Sequence, residues 1–120
     1  MTQESEHIAQ CKVVQYLRSR GIGVFSVPNG FMVGGKNKWA LITKFKAEGM
    51  LSGAPDLIVM RQTFVDQEFR PVAIEMKREG LSQVLPEQKE IHERMRREGW
   101  HVIVAYGSQD AIRQIDELSF

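Results

Sequence analysis

Apolar residues recur along this chain in two alternating rhythms, and the rhythms predict its elements. From residue 4 to residue 20, Ile8, Cys11, Val14 and Leu17 fall at helical spacing with charges between them, and Gly21 stands where such a helix would stop. Ile22–Val27 is short and apolar, a strand closed by the turn-forming Pro28-Asn29-Gly30. Trp39–Glu48 predicts a second helix, with Leu41, Ile42 and Phe45 on one face and Gly49 at its end. Gly53-Ala54-Pro55 forces a turn, and Asp56–Met60 is apolar enough for a buried strand. Val65–Arg70 is polar and predicts a hairpin connection. In Pro71–Lys77 the side chains alternate: Val72, Ile74 and Met76 share one face, and Ala73, Glu75 and Lys77 the other.

A helix is expected from Pro86, whose missing N–H suits a first turn, to Arg97, with Gly99 beyond it. His101–Ala105 is a fourth strand, and Ser108 is expected to cap a last helix carrying Ala111, Ile112 and Ile115. The order is α-β-α-β-β-α-β-α. A mixed sheet flanked by helices, class α/β, is the natural way to bury these faces.

Composition narrows the class without naming a function. The 120 residues, 42% hydrophobic and 26% charged, suit one globular domain spanning 1–120. One cysteine, Cys11, excludes an internal disulfide framework and a four-cysteine zinc site. No apolar run reaches the roughly 18 residues of a membrane span, and the polar start Met1-Thr2-Gln3-Glu4-Ser5-Glu6 is no secretory signal. The expectation is therefore a soluble, cytoplasmic protein. Sixteen Lys plus Arg against fifteen Asp plus Glu gives a net charge of +1, so any attraction to an anionic partner must come from local clusters. Lys36, Lys38, Lys44 and Lys46 form one, uninterrupted by acids, and Arg94, Arg96 and Arg97 form another.

Two carboxylates and a lysine carry the candidate chemistry. Glu75 and Lys77 are two apart on a strand, so both side chains leave the same face of an apolar segment. Burying them is costly unless they serve each other or a third partner. Asp56 opens the preceding strand. If the two strands are antiparallel neighbours, Asp56 and Glu75 converge at one edge of the sheet. Paired carboxylates make a hard oxygen site suited to Mg²⁺ or Mn²⁺, and a lysine beside them can hold a phosphate oxygen or orient an attacking water. Taken singly, Glu-x-Lys is a common exposed strand pair and Pro-Asp a common turn; the combination is what points to phosphodiester hydrolysis.

Pro55-Asp56 followed by Glu75-x-Lys77 resembles the PD-(D/E)xK nuclease signature, and the surrounding chain resembles the VRR-NUC (virus-type replication–repair nuclease) family. Glu6, Pro28-Asn29-Gly30, Lys44 to Gly49, Gly53-Ala54-Pro55-Asp56, Ile74-Glu75-Met76-Lys77-Arg78, Leu81-Ser82, Gln88 and Gly99 through Val102 match its pattern in order. Ala54 stands where the family usually has Val. The resemblance implies a restriction-endonuclease-like fold and a metal-dependent DNA endonuclease acting in replication or repair, on branched or junction DNA, as a homodimer. It implies Asp56 and Glu75 as metal ligands with the Met76 carbonyl as a third, Lys77 as the catalytic lysine, Gln88 beside the active site and Glu6 as an accessory acid. Asn29, Gly30, Lys36, Lys38, Lys44 and Lys46 would then meet DNA, with main-chain N–H groups and lysines on phosphates.

Other readings compete with this one. Gly30 through Lys36 fits Gly-x4-Gly-Lys, but Asn37 follows where a phosphate loop needs a Ser or Thr hydroxyl for Mg²⁺. His7 and Cys11, four apart, have zinc-ligand spacing without a second pair, so a core thiol and a surface imidazole are expected. His92 lies one turn after Gln88 and has no assigned role. The rival functional classes are a non-catalytic nucleic-acid-binding relative, in which Asp56, Glu75 or Lys77 should be missing, and a small interaction domain with a surface Glu75–Lys77 pair. The rather apolar Phe31, Met32, Val33 and Trp39 are candidates for a subunit interface.

Overall fold

The computed structural model describes residues 4–28, 36–80 and 83–120. Its elements are α1 (Glu6–Ser19), β1 (Val24–Ser26), α2 (Lys38–Ala47), β2 (Leu57–Val65), β3 (Glu68–Lys77), α3 (Pro86–Arg97), β4 (His101–Tyr106) and α4 (Ser108–Asp116). The four strands form one mixed sheet in the order β1-β2-β3-β4. β1 and β3 each run antiparallel to β2, while β4 runs parallel to β3 after the α3 crossover. This is the expected α/β architecture and element order. No helix among the described residues is long and apolar enough to cross a membrane.

Alternation along β3 divides the molecule into two layers. Val72, Ile74 and Met76 enter a core with Leu57 and Val59 of β2, Ile103 and Ala105 of β4, Ala9, Val13 and Leu17 of α1, and Ala111 and Ile115 of α4. Glu75 and Lys77 emerge on the opposite face, where Gln88 and His92 of α3 receive them. Burial of both faces makes β3 the centre of the structure, and every residue from Val72 to Lys77 is buried.

Several boundaries and faces differ from the sequence expectation. The helix α1 buries Ala9, Val13 and Leu17, a stripe rotated from the expected one, so Ile8 is 47% exposed and Cys11 is a surface thiol 3.8 Å from His7 Nε2. The expected connection at Val65–Arg70 shrinks to Asp66 and Gln67, both at positive φ as a two-residue hairpin turn requires, and strand pairing continues on either side. Phe64 and Phe69 face each other across this turn with ring centroids 5.1 Å apart, a contact that favours pairing up to the tip. Polar Arg61, Gln62 and Thr63 are therefore part of β2.

α2 buries none of its residues; Ile42 and Phe45 are half-covered and Leu41 is exposed. Ser108 does not cap α4 but is its first residue, and the Glu4 carboxylate does the capping. It accepts the Ser108 N–H at 2.6 Å and the Ser108 hydroxyl at 3.0 Å.

Candidate active site

The hairpin register brings the two carboxylates together. Leu57 pairs with Ile74, so Asp56, one step before the strand, stands level with Glu75 on the α3 side of the sheet. The loop leading to Asp56 is fixed against α3: Gly53 has φ +94°, and a Cβ there would lie 2.8 Å from the Glu87 carbonyl oxygen. Only glycine allows that approach. The Ser52 hydroxyl bonds the Glu87 carboxylate at 3.2 Å from the same loop. Beyond it, the Asp56 carbonyl accepts the Val27 N–H at 2.8 Å, tying the loop's end to the edge of the sheet.

Asp56 Oδ2 accepts the Met76 N–H at 2.7 Å. Burial pushes the Asp56 carboxyl up to about 7, reinforced by its hydrogen bond with Glu75 and by the Glu75 charge; the Met76 N–H pulls the other way. Glu75 is also raised, first by burial, with Asp56 and Lys77 opposing. The two carboxyls thus share a proton near neutral pH without a cation, as like charges at one site must. Glu6 lies close enough to raise both, and its Oε1 accepts the Arg78 N–H at 3.2 Å.

On the other side of Glu75, Lys77 is 6% exposed and its Nζ donates to Gln88 Oε1 at 2.6 Å. The same carboxamide oxygen accepts the Leu85 N–H at 2.9 Å, closing the first turn of α3. Gln88 is therefore immobilised by the helix start while it holds the lysine. His92, one turn further, is 1% exposed, with its Nε2 3.2 Å from Glu75 Oε1. Burial holds this imidazole below the usual histidine range, aided by the charges of Arg96 and Lys77.

A hard divalent cation fits the pair. A buried and a half-buried carboxylate forced to share a proton are a donor set whose repulsion a dication would relieve, and Mg²⁺ commonly takes only one or two carboxylates, with waters and substrate phosphate completing its shell. Among the described residues, no three His, Cys, Asp or Glu side chains gather to hold a metal by themselves. Asp56 and Glu75 are thus the anionic donors on offer, and Glu6 does not complete a three-carboxylate cluster.

The structure brings Asp56, Glu75, Met76, Lys77 and Gln88 together and places His92 beside them, for which Gln88 one turn earlier is the only hint in the sequence. Lys36, Lys38, Lys44 and Lys46 are all exposed, and Lys38 Nζ lies 5.0 Å from the Trp39 ring centroid. Asn29 and Gly30, expected to meet DNA, lie outside the described residues, as do Phe31, Met32, Val33, most of the Gly-x4-Gly-Lys segment, and Leu81-Ser82.

Comparison with known proteins agrees with this fold. The family model for the VRR-NUC domain matches residues 32–109. A solved structure described as a VRR_NUC domain protein superposes with a TM-score of 0.68 at 24% identity, covering 98% of this chain and 89% of that one. A second, described as a VRR_NUC domain, gives 0.60 at 21% identity, covering 93% and 95%. At such identities the superpositions establish a shared fold. No curated protein matches the sequence. The family match spans well over half the chain and contains Asp56, Glu75, Lys77 and Gln88, so the chain belongs to the VRR-NUC domain family, with its nuclease-type fold.

Proposed function

We propose that this protein is a Mg²⁺- or Mn²⁺-dependent deoxyribonuclease that cuts within DNA. The observation that carries the reading is the pairing of half-buried Asp56 with buried Glu75, with Lys77 beside them held at 2.6 Å by Gln88. Asp56 and Glu75 would hold the cation, with the Met76 carbonyl as a third oxygen, and Glu6 would add negative potential without ligating directly. The cation, when bound, lowers the pKa of water and polarises the scissile phosphate.

The chain's own groups do the rest. Lys77, held by Gln88 Oε1, presents an ammonium to the attacking water or to a phosphate oxygen, where charge develops in the transition state. Gln88 fixes the lysine's position, which spares it the entropy of ordering a four-carbon stem at the moment of reaction. The exposed lysines of α2 would contact the DNA backbone. Branched or junction DNA, and a homodimer placing two such sites about a two-fold axis, extend this reading on the strength of the family resemblance. Exposed Trp39 and Leu41 on α2 offer apolar surface for a partner.

The test compares junction, flap, nicked and linear duplex DNA with and without Mg²⁺ or Mn²⁺. Lys77→Ala should keep cation affinity and lose most cleavage, because an ammonium is not a ligand. Asp56→Asn and Glu75→Gln should lose both. Robust metal-dependent cleavage by Lys77→Ala would refute the mechanism, and failure of the wild-type protein to bind either cation would refute the function.

A further inference from the structure

We propose that His92 is a positioning residue for Glu75, using its Nε2–H to fix which carboxylate oxygen is offered to the cation. This rests on the metal-dependent reading above and adds a residue to it. His92 and Glu75 are both almost wholly buried, and Nε2 lies 3.2 Å from Oε1. A Glu75 that holds a cation is an ionised carboxylate and can only accept, so in that state Nε2 carries the hydrogen of the pair. The bond to Oε1 restricts rotation of the carboxylate and leaves Oε2 without a bond to the histidine. Apolar packing alone would be served as well by leucine; a buried imidazole aimed at a buried carboxylate has a polar task.

The placement follows from matched periodicities. Four residues of helix rise about 6 Å, and two residues of strand rise about 6.6 Å. Gln88 and His92 are four apart on α3, while Lys77 and Glu75 are two apart on β3. α3 runs antiparallel to β3 here, so Gln88 meets Lys77 and His92 meets Glu75 in one lock. One helical face thereby sets both halves of the Glu75–Lys77 pair.

The experiment measures Mn²⁺ affinity calorimetrically, without DNA, for the wild type, His92→Leu and His92→Gln. Leucine keeps apolar volume without a donor, and a glutamine amide can place a donor near the Nε2 position. His92→Leu should weaken Mn²⁺ binding by about 10- to 100-fold, the usual effect of losing a partner of a ligating carboxylate, and His92→Gln should restore most of it. A purely structural histidine would lower thermal stability in both variants and leave affinity in the folded protein unchanged.

A second readout uses the unmodified chain, so poor folding of His92→Leu cannot hide the answer. Mg²⁺ should shift the His92 Nε2–H resonance in ¹⁵N-labelled wild type and leave it unmoved in Glu75→Gln. Wild-type affinity in His92→Leu, or a His92 resonance blind to Mg²⁺ under saturating binding, overturns the proposal while leaving the nuclease reading intact. A wild type that binds no cation overturns both, and is told apart by its calorimetric trace.

Discussion

The proton shared by Asp56 and Glu75 makes the stability of the cation-free protein fall as pH rises toward neutrality. Asp56 titrates near 3.8 as an ordinary aspartate and at about 7 in the fold, so between those values the native state holds a proton that the unfolded chain has released. Stability from this group is fully present below about pH 4 and is lost as pH climbs to about 7. At about 1.4 kcal/mol per pH unit of displacement, the ceiling is on the order of 4 kcal/mol. Asp56 is only half-buried and solvent screens part of the repulsion, so a loss of about 2 kcal/mol is the expected outcome. Asp56→Asn should remove most of this dependence, since the amide cannot ionise yet its oxygen can still accept the Met76 N–H. Urea denaturation in EDTA at pH 5 and pH 8 measures the effect for both proteins. Saturating Mg²⁺ should restore stability to the wild type at pH 8, where the carboxyls are free to bind it, and far less at pH 5. If wild type and Asp56→Asn lose stability equally between pH 5 and pH 8, the carboxyls do not share a proton and the metal-site reasoning fails with them.

Two further perturbations probe parts of the chain remote from that pair. Neutralising Lys36, Lys38, Lys44 and Lys46 one at a time should weaken binding to all DNA sequences alike and reduce the slope of affinity against salt by about one per phosphate contact; an unchanged slope after all four are replaced would make them ordinary surface. Glu4→Ala should destabilise the protein by about 1 kcal/mol through loss of the α4 cap, seen as a lowered urea midpoint with an unchanged slope. Because Ser108 chiefly holds the Glu4 carboxyl down to about 2, the cap's contribution should persist to mild acidity and fade only as pH falls toward that value.

What the sequence could disclose followed from how local each determinant is. The helix α3 begins at Pro86 and ends at Arg97 as expected, because a proline at its start and Gly99 beyond its end are local signals. The hairpin tip was illegible because Asp66-Gln67 is a poor match to the Asn-Gly or Asp-Gly preference of a two-residue turn. The buried face of α1 is ambiguous in the sequence because helical spacing admits two stripes that share Leu17, and the one through Ala9 and Val13 enters the core. Capping of α4 by Glu4 joins residues 104 apart in sequence, which no window of sequence contains. The contacts of His92 depend on the angle of α3 over β3 and belong to the same class.

The meeting of Asp56 with Glu75 depends on one irregularity. At the hairpin tip Phe64 faces Phe69, and an unbroken ladder from there would set Asp56 opposite Lys77. Between Val59 and Thr63 the register shifts by two residues, with three residues of β2 set against Pro71 alone on β3. Proline lacks the N–H that the ladder would use, so a bulge opposite it leaves no donor stranded. The displaced residues find partners on the neighbouring segment: the Met60 N–H bonds the Gly23 carbonyl at 2.7 Å, and Arg61 bonds the Gly21 carbonyl at 3.3 Å. A two-residue shift leaves every side chain on its original face, so hydrophobic alternation cannot reveal it. Its consequence is chemical. Without the shift Asp56 would face Lys77 as a simple ion pair; with it, Asp56 faces the like charge of Glu75, a repulsion that the proposed cation would relieve.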